Sequence, residues 1–573
     1  MKFSVLALDY DGTIARHGHA HPEVVTAIRD ARARGITVVL VTGRILSDLR
    51  RVLTEEDLFD AIVVENGAVI AFPNGRTRVL GRPASRELLS ELCERRVEVE
   101  FGDCVVEADA AAAPKILEAI RKLELPLMLV FNRSRVMVLP QGINKATGLR
   151  EALNTMRLSL HNCIGIGDAE NDHALLDACE IGVAVSWGSK SLQSIADHVL
   201  EGRGPEALAH YIREVSTRPK LPPHRADDRR VLLGETTAGT VETAIHGRNI
   251  LIAGDPRSGK SWITGLLAEH LLLQGYCLCV IDPEGDYSTL ESLPGVVVFG
   301  DEEPPRLSDV ARALRHPDTS IVIDLSTLSH EEKLAYVHEL LPMLATLRRN
   351  SGLPHWIVVD EAHYFLNQPE VERRVDFELA AYVLITYRPS HLHPELLRAT
   401  GSIIVTPLTD PDEVLALTTL CGAGGAESAW GEVLGGLGID EAAVLPRCAA
   451  DGLLPQRFTI APRLTAHVRH RAKYLEVPLP AERAFHFTCK GQNFGSPART
   501  LKEFVQMQER LPEEALEGHA RRGDFSCWIA KVFGDQPLAA AIRKVEDRFR
   551  KGQVRQLSKA LIKPICERYE LAS

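Results

Sequence analysis

Two aspartates, Asp9 and Asp11, stand one residue apart where the apolar stretch "SVLALD" ends. Side chains alternate between the two faces of a strand, so both carboxylates project to the same side at the carboxyl end of this one. Close carboxylates repel each other unless a cation neutralises them or one of them holds a proton. Mg²⁺-assisted phosphoryl transfer through an aspartyl intermediate requires that arrangement. For the pair taken alone, a solvated turn is the alternative.

Three further segments supply groups that would complete such a site. Thr42 ends the apolar stretch "VVLVTG", where its hydroxyl and the next backbone amides can bind phosphoryl oxygens. Lys145 opens a helical pattern and offers a positive charge to the same oxygens. Asp168, Asn171 and Asp172 follow the stretch "NCIGIGD" as metal ligands and the residues that orient them. All these groups lie at or just after the carboxyl ends of strands, where open α/β sheets build their sites.

A glycine-rich segment, "AGDPRSGKSW", lies between an apolar strand and an amphipathic helix, which is the context of a phosphate-binding P-loop. Gly254 and Gly259 let backbone amides curl around the β- and γ-phosphates, and Lys260 neutralises those oxygens. Ser261 is expected to ligate Mg²⁺. The predicted ATP-binding segment consists of Gly254, Asp255, Pro256, Arg257, Ser258, Gly259, Lys260, Ser261 and Trp262.

The segment "HWIVVDEAH" places Asp360 and Glu361 at the end of another apolar strand. In a P-loop enzyme the aspartate of such a pair holds the metal through water, and the glutamate polarises the attacking water. The sequence therefore predicts two phosphate-handling sites, with Mg²⁺ and ATP as cofactors.

The elements that position these residues fall into three units. Residues 1–215 alternate apolar runs with amphipathic helices, which predicts a parallel sheet covered by helices. Within them, a twice-repeated helix, strand, strand pattern at about 76–141 predicts an inserted α+β unit. The proline-rich and charged residues 216–228 are predicted to be a linker. A second α/β segment occupies residues 229–478, and residues 479–573 are mainly helical.

Length and composition limit the classes of protein to consider. At 573 residues the chain exceeds what one hydrophobic core supports. The net charge of -11 argues against a broad basic surface for nucleic acid, although a local basic stripe would not show in that sum. The 11 cysteines lack zinc-finger spacing, so we expect reduced thiols. With no signal peptide and no apolar run of about 18 residues, we expect a cytoplasmic protein without membrane contact.

The order of the aspartate pair, threonine, lysine and second aspartate segment resembles the haloacid-dehalogenase-like (HAD) phosphatases. The inserted unit resembles the cap of their Cof-type, IIB subclass. The similarity covers about residues 1–215, including "HPEVVTAIRDARARGITVVLVTGR" and "ENGAVI". One departure is "VAVSWGSKSLQSIADHV", where the family has a shorter turn, and this affects the floor of the site. The cap residues Glu98, Glu100, Arg133 and Arg135 name no substrate, and surface ion pairs explain them equally well.

The HAD resemblance implies a Rossmann-like parallel sheet and assigns roles to the site residues. Asp9 would be the nucleophile and Asp11 the general acid/base. Thr42 and Lys145 would bind the phosphoryl group. Mg²⁺ would be held by Asp9, Asp168 and the backbone carbonyl of Asp11, with Asp172 in support.

Two stretches beyond the P-loop, "CLCVIDPEGDYSTL" and "YVLITYRPSHLHPELLRATGSIIVTPLTDPDEV", resemble HerA and its relatives among the FtsK-like ATPases. The resemblance implies a RecA/HerA-like P-loop α/β domain of a kind that forms rings and translocates DNA or, in some branches, protein. Thr386 would be the sensor, and Asp282 and Asp286 would form an acidic loop. Arg388 would contact nucleotide in trans, with a structural ion pair as the alternative. Tyr387 stands where the family has glutamine, which puts DNA translocation in doubt more than ATP hydrolysis.

The tail looks like a small helical domain of unassigned function that is appended to regulatory proteins. A polar cluster in it comprises His519, Arg521, Arg522, Asp524 and Trp528. The cluster is either an anion or partner site or a capped helix junction with Phe525 and Trp528 in the core. We expect the basic run "DRFRKGQVRQLSK", residues 547–559, to be a solvated helical face.

Two functional hypotheses follow. In the first, the chain is a bifunctional hydrolase, in which an ATPase that forms a homo-oligomer, such as a hexameric ring, gathers or gates phosphatase domains. Their substrate would be a phosphorylated small molecule or a nucleic-acid end. In the second, a motor engages duplex DNA and the HAD domain is an accessory. A third, weaker hypothesis makes both modules scaffolds of an interaction protein.

Overall fold

The apolar stretches fold into strands and the amphipathic ones into helices, in three units. The computed structural model describes residues 1–16, 18–132, 134–222, 229–300, 303–367, 375–376, 379–446, 454–465, 483–489, 492–493, 496–533 and 536–569. The strands of the first unit are β1 (Val5–Leu8), β2 (Ala15–Arg16), β3 (His19–Ala20), β4 (Thr37–Val41), β5 (Ala61–Val64), β6 (Val69–Ala71), β7 (Thr77–Val79), β8 (Val99–Phe101), β9 (Val106–Asp109), β10 (Leu127–Asn132), β11 (Arg135–Pro140), β12 (Cys163–Gly167), β13 (Ile181–Val185) and β14 (His198–Leu200). Its helices are α1 (Pro22–Ala33), α2 (Leu46–Val52), α3 (Arg86–Glu94), α4 (Ala113–Lys122), α5 (Lys145–Thr155), α6 (His173–Ala178), α7 (Lys190–Ile195) and α8 (Gly204–Val215).

The first unit is built on an eight-stranded sheet of order β14-β13-β12-β1-β4-β5-β6-β7. Its strands from β14 to β5 are parallel, as predicted, and helices cover them. The stretch "AIVVENGAVI" is a hairpin rather than one strand, because Glu65 and Asn66 adopt left-handed φ angles of 53° and 52°. That turn reverses the chain between β5 and β6.

The inserted unit, called the cap below, consists of α3, β8, β9, α4, β10 and β11, which is the predicted helix, strand, strand repeat. It begins at Arg86 rather than near residue 76, because β7 pairs with β6 and so belongs to the main sheet. Its four strands form an antiparallel sheet of order β10-β11-β9-β8. Apolar side chains of α3 and α4, such as Leu92 and Ile116, pack on one face of this sheet.

The second unit carries the P-loop. Its strands are β15 (Arg230–Thr236), β16 (Gly239–Ala244), β17 (Asn249–Ala253), β18 (Leu278–Asp282), β19 (Val296–Phe299), β20 (Ser320–Asp324), β21 (Trp356–Val359), β22 (Tyr382–Thr386), β23 (Thr400–Val405), β24 (Glu441–Val444) and β25 (Gln456–Ile460). Its helices are α9 (Lys260–Leu273), α10 (Leu307–Ala313), α11 (His330–Ser351), α12 (Ala362–Phe365), α13 (Pro394–Arg398), α14 (Pro411–Cys421) and α15 (Glu427–Gly435).

All eleven strands of the second unit join one sheet, of order β16-β15-β25-β24-β23-β17-β22-β21-β18-β20-β19. From β23 to β19 the strands are parallel. The P-loop strand β17 and the acidic strand β21 are separated by β22, so the predicted sensor lies between the two motifs. The short segment before the P-loop forms the β15–β16 hairpin at the sheet edge.

The third unit is mainly helical, as predicted. Its elements are β26 (Thr488–Cys489), β27 (Gln492–Asn493), α16 (Leu501–Arg510), α17 (Glu513–Arg522), α18 (Asp524–Trp528), the π-helical turn Ile529–Phe533, α19 (Gln536–Arg550) and α20 (Leu557–Tyr569). Phe525 and Trp528 pack with Phe485, Phe487 and Phe504 in its core. The predicted boundary between the second and third units, near residue 478, lies outside the described residues. Among the described helices, none has the length and apolarity needed to cross a bilayer.

The first half of the predicted linker packs against the start of the chain. The backbone amide of Phe3 donates to the carbonyl of Pro219, and the amide of Leu221 donates to the carbonyl of Met1. Leu221 is buried. Residues 216–222 therefore pack along the start of the chain, because Leu221 supplies an apolar side chain to the core. The remaining linker residues, 223–228, lie outside the described residues.

A buried carboxylate, Glu180, joins the first and second units. Its side chain has 0% exposure. It faces His161 Nδ1 at 2.8 Å and His246 Nδ1 at 2.7 Å, and Tyr276 donates to it at 3.0 Å. Burial alone would raise the pKa of Glu180, but Arg229 at 3.6 Å and the two histidines outweigh burial and hold that pKa well below its usual range. Glu180 is therefore an anion held by donors from both units.

We expect Glu180→Ala to lower the free energy of unfolding of these two units by about 3–5 kcal/mol, because it leaves buried donors and Arg229 without their anion. Because the folded-state pKa is depressed, this stabilisation is complete above the unfolded pKa of about 4.3 and is lost as the pH falls through the folded value. Urea unfolding followed by circular dichroism, at neutral and acidic pH, measures both effects.

The matched control is Glu214→Ala, which removes a carboxylate that is half-exposed in an ion pair with Arg218. Such surface pairs contribute about 0–1 kcal/mol. Equal losses for Glu180→Ala and Glu214→Ala would contradict the role given to the buried carboxylate.

Candidate functional sites

The predicted phosphatase residues of the first unit meet at the carboxyl edge of its sheet. Asp9 follows β1 and is 4% exposed, and Asp168 follows β12. Lys145 is the first residue of α5, where a capping box formed by Asn144 fixes the helix start. Its ammonium donates to Asp9 Oδ1 at 2.6 Å and to Asp172 Oδ1 at 2.5 Å. One buried cation thus bridges two of the predicted carboxylates.

Three of these carboxylates form a candidate metal site. Asp9, Asp168 and Asp172 each offer one oxygen, and these oxygens all lie within 4.8 Å of one another. Burial first, and then the Asp172 and Asp168 charges, raise the pKa of Asp9 well above its usual range, although Lys145 opposes them. A cluster of hard oxygen donors with more negative charge than one lysine can balance fits Mg²⁺. The second oxygen of Asp172 accepts the amides of Asp168 and Ala169, which orients it.

The predicted acid/base residue, Asp11, is held by an arginine that the sequence analysis missed. Arg44 donates from Nε and Nη2 to the two carboxylate oxygens of Asp11, at 2.6 and 2.8 Å. Its third nitrogen donates to Asp48 at 2.6 Å. The backbone amide of Arg44 donates to Thr42 Oγ1 at 3.2 Å, so the arginine is tied to the phosphoryl-binding loop as well.

A second missed residue, Glu65, anchors the cap. It is buried, and its carboxylate accepts the backbone amides of Asp103 and Cys104 at 2.8 Å and of Val105 at 3.1 Å. These amides belong to the turn between β8 and β9 of the cap. Glu65 sits in the left-handed turn of the "ENG" segment, between β5 and β6.

The cap closes over the phosphoryl-binding loop. A Cβ built on Gly43 would lie only 3.3 Å from Met137 Cε of β11, so the cap side chain rests directly on this loop. Arg135 lies two residues earlier and so on the same face of the cap sheet. It pairs with Glu107 and Glu100, each at 2.7 Å, which favours the ion-pair interpretation of these cap residues. Arg133 lies outside the described residues.

Trp187 explains the departure from the HAD pattern at the floor of the site. Its indole Nε1 donates to the carbonyl of Gly12 at 2.8 Å, in the turn that follows the two aspartates. Gly12 has a φ of 86°, which favours glycine. The longer segment thus braces the turn that carries Asp11.

The P-loop of the second unit curls around its own lysine. Lys260 donates to the carbonyls of Gly254 at 3.0 Å and Asp255 at 2.8 Å. Gly254 has a φ of 156°, and a Cβ there would lie 2.0 Å from Thr406 Oγ1, so only glycine fits. Burial lowers the pKa of Lys260, and the nearby Glu361 opposes that shift. The lysine is thus held where it can meet phosphate oxygens.

Acidic residues converge on the P-loop serine. Ser261 Oγ donates to Asp286 Oδ2 at 2.6 Å, and Tyr287 donates to Asp360 Oδ2 at 3.3 Å. Asp282 accepts the amide of Tyr287 at 2.9 Å, and burial with the charge of Asp286 raises the pKa of Asp282 to about 8. Burial also raises the pKa of Asp360. Such a set of oxygen donors fits Mg²⁺ beside a bound nucleotide.

The predicted sensor is connected to the predicted catalytic glutamate. Thr386 Oγ1 lies 3.1 Å from His363 Nδ1, which lies 3.4 Å from Glu361 Oε2. The Arg388 amide donates to the same threonine oxygen at 2.9 Å, and its guanidinium lies 5.3 Å from the ring centre of Tyr387. Within the described part of the chain, no carboxylate lies within 4.0 Å of the Arg388 guanidinium, so the ion-pair alternative is not supported there.

Some predicted P-loop side chains face away from the phosphate position. Trp262 points toward the segment after β25, where its indole donates to the Ala461 carbonyl at 3.5 Å. Its side chain is therefore directed away from the P-loop, and its contribution to nucleotide binding stays a prediction. Ser258 contacts Thr406 at 2.5 Å, and Asp255 accepts two hydrogen bonds from the segment after β23.

The polar cluster of the third unit is largely satisfied internally. His519 Nδ1 faces Asp524 Oδ2 at 2.7 Å, and its Nε2 accepts the amide of Thr488 at 2.8 Å. Arg522 donates to Asp524 at 2.9 Å, whereas Arg521 is exposed and separate from them. This arrangement supports the capped helix junction rather than a binding site.

We expect Glu65→Ala to destabilise the cap attachment by about 1–3 kcal/mol, because three backbone amides lose their buried acceptor. Hydrogen exchange at residues 103–105 should become faster. The control, Glu94→Ala, removes an exposed carboxylate of the cap helix α3 and should leave that exchange unchanged. Unaltered exchange in Glu65→Ala would contradict the anchoring role.

Family models match two parts of the chain. Residues 6–124 and 94–212 match the model for haloacid dehalogenase-like hydrolases, and together these matches span most of the first unit. Residues 244–350 match the model described as the central domain of helicase HerA. The second match includes the P-loop and ends before Asp360.

Similar proteins are known for about a third of the chain. A phosphoglycolate phosphatase of Methanothermobacter thermautotrophicus is 29% identical over 218 residues, which are 36% of this chain and 96% of that protein. A phosphoglycolate phosphatase of Methanoculleus marisnigri is 30% identical over 211 residues, or 34% of this chain and 89% of that protein. Among solved structures, an HAD subclass IIB sugar phosphatase is 17% identical with a TM-score of 0.32, covering 37% of this chain and 98% of its own.

Proposed function

Through residues 6–212 the chain belongs to the haloacid dehalogenase-like hydrolases, and on that premise we propose a Mg²⁺-dependent phosphomonoesterase coupled to ATP hydrolysis in the HerA-like unit. The observation that carries the proposal is the buried cluster of Asp9, Lys145, Asp168 and Asp172 at one edge of the sheet. Bound by these carboxylates, Mg²⁺ would supply charge neutralisation for an incoming phosphate.

The residues of the first site suit a two-step hydrolysis. A carboxylate oxygen of Asp9 bonds to phosphorus while the ester P–O bond breaks, and Asp11 gives a proton to the departing oxygen. Asp11 then takes a proton from the water that attacks the phosphoaspartate, which releases phosphate and regenerates Asp9. Lys145 and Thr42 hold the phosphoryl oxygens throughout. Asp11 can transfer protons only when its ion pair with Arg44 breaks as the substrate binds.

The cap favours a small substrate. Met137 of the cap rests on the loop that carries Thr42 and Gly43, so a bound substrate would lie against a cap side chain. The relatives named phosphoglycolate phosphatase favour a compact phosphomonoester that bears a carboxylate. A nucleic-acid end is the bulkier alternative, and it would require the cap to open further.

One helix and one strand support coupling between the two sites. Helix α9 begins at Lys260 in the P-loop, and the carbonyl of Gln274, just beyond its end, lies 3.0 Å from His161 Nε2. Residue His161 lies two residues before β12, and β12 leads into Asp168. The same histidine contacts the buried Glu180. A shift of α9 on ATP binding would therefore reach a metal ligand of the phosphatase through rigid elements.

The chain is also proposed to form a homo-oligomer, such as a hexameric ring. The guanidinium of Arg388 rests on Tyr387, and no carboxylate of the described residues pairs with it. An arginine at this position, two residues after the sensor, is available for nucleotide on a second copy.

We expect Asp9→Asn to abolish hydrolysis of p-nitrophenyl phosphate and phosphoglycolate, because an amide cannot form the phosphoenzyme, and to leave ATP hydrolysis within twofold. Lys260→Ala should lower ATP hydrolysis at least a hundredfold, keep phosphatase activity, and remove its response to ATP. Steady-state assays of both activities measure these effects. Phosphatase activity in Asp9→Asn would refute the assignment of the first site.

Removal of divalent cations with EDTA is expected to abolish both activities, and Mg²⁺ should restore them. In Asp168→Asn the Mg²⁺ concentration for half-maximal phosphatase activity should rise at least tenfold, because one anionic oxygen donor is lost. The Mg²⁺ dependence of ATP hydrolysis serves as the internal control and should not change. Phosphatase activity that persists in EDTA would exclude the metal site.

A further inference from the structure

The end of the third unit concentrates positive charge in an otherwise acidic protein. Residues 543–563 contain eight lysines and arginines and two acidic residues, whereas the whole chain carries a net charge of -11. One of the two acids, Glu546, is fully buried and accepts from Ser526 Oγ at 2.6 Å. The other, Asp547, pairs with Arg550 at 3.0 Å.

The fold gathers four of these cations in one cleft. The basic run, predicted to be a solvated helical face, has exposed basic side chains. Helix α19 ends at Arg550 and α20 begins at Leu557, so the run turns back on itself between the two helices. The cleft between them has a volume of about 510 Å³ and no acidic residue in its lining. Its basic side chains are Arg548, Arg555, Lys559 and Lys563.

Three of the four cations of this basic cleft lack a carboxylate partner in the described part of the chain. No carboxylate in the described ranges lies within 4.0 Å of the charged nitrogens of Arg548, Arg555 or Lys559. Lys559 and Lys563 are one helical turn apart, roughly 6 Å along the axis, so both project to the same side. Like charges held this close favour a bound polyanion, because it relieves their mutual repulsion.

We propose that the basic cleft binds the sugar-phosphate backbone of nucleic acid. This is a binding site beyond the proposed hydrolase function, and it does not depend on that function. Gln553 and Gln556 in the lining can add neutral hydrogen bonds to phosphate and sugar oxygens. With no aromatic side chain in the lining, the cleft offers no surface on which bases stack, so binding is independent of base sequence.

An acidic protein is the other polyanion to consider, and the surface disfavours it. Protein interfaces are anchored by buried apolar and aromatic side chains. In the described residues of the third unit, no large hydrophobic side chain is exposed, whereas the first and second units expose several, such as Phe101 and Leu273. A cleft with cations but without an apolar anchor suits a phosphodiester backbone.

The test is binding of a fluorescein-labelled 20-base-pair DNA duplex to the full chain, measured by fluorescence anisotropy between 50 and 200 mM NaCl. In Lys559→Gln/Lys563→Gln we expect at least tenfold weaker binding at 100 mM NaCl and a salt slope smaller by about two, one for each lost phosphate contact. Retention of ATP hydrolysis and of the circular dichroism spectrum verifies that the variant is folded.

The control removes the same charge elsewhere, in Arg29→Gln/Arg34→Gln, where both arginines are exposed at or beside α1 of the first unit. Its affinity should remain within twofold of the parent chain. Equal losses in the two variants, or no duplex binding at 50 mM NaCl, would overturn the proposal. Displacement of the duplex by poly-glutamate as readily as by unlabelled duplex, at matched charge, would assign the cleft to an acidic protein instead and would also overturn it.

Discussion

The arrangement of the two α/β units depends on one carboxylate that has no access to water. A charge as deeply buried as that of Glu180 is tolerated only if donors replace the water it has lost. The donors come from both units: His161 from the first, and His246 and Tyr276 from the second. An apolar interface tolerates sliding, whereas this set of contacts is satisfied in one orientation. The relative position of the two phosphate sites is thereby specified.

The two sites share an electrostatic design. In each, carboxylates surround a single buried lysine: Lys145 donates directly to two of them, whereas Lys260 donates to backbone carbonyls and feels the charges of Glu361 and Asp360. Burial raises the pKa of Asp9 in the first site and of Asp360 in the second. Each site thus holds more negative charge than its lysine offsets, which is the condition that a divalent cation relieves. The same arrangement of charges thus occurs on two different sheets.

Local sequence patterns predicted the parts of these sites that lie at the ends of strands. Asp9, Lys145 and the P-loop could be placed because their neighbours in sequence define a strand or a helix start. Arg44 and Glu65 were not predicted as site residues, because their partners lie 33 or more residues away in the sequence. Hydrophobic periodicity carries no information about such distant contacts. Glu65 also interrupts a stretch whose composition is typical of a strand. Its left-handed backbone conformation belongs to the turn of the β5–β6 hairpin.

The start of the cap was predicted near residue 76, too early in the chain, for a related reason. The three residues of β7 are all exposed, so the local pattern does not say whether they pair with the main sheet or with the insertion. The orientation of Trp262 likewise depends on which helix face meets the sheet, and that is decided by packing. In both cases the local pattern identifies the element, and tertiary contacts determine its neighbours.

The pairing of Phe3 with Pro219 brings the entry and the exit of the phosphatase fold to the same spot. A fold whose two ends are adjacent can be spliced into another gene without stretching either chain. The second unit can therefore follow the first in one chain without disturbing the contacts that close the first unit.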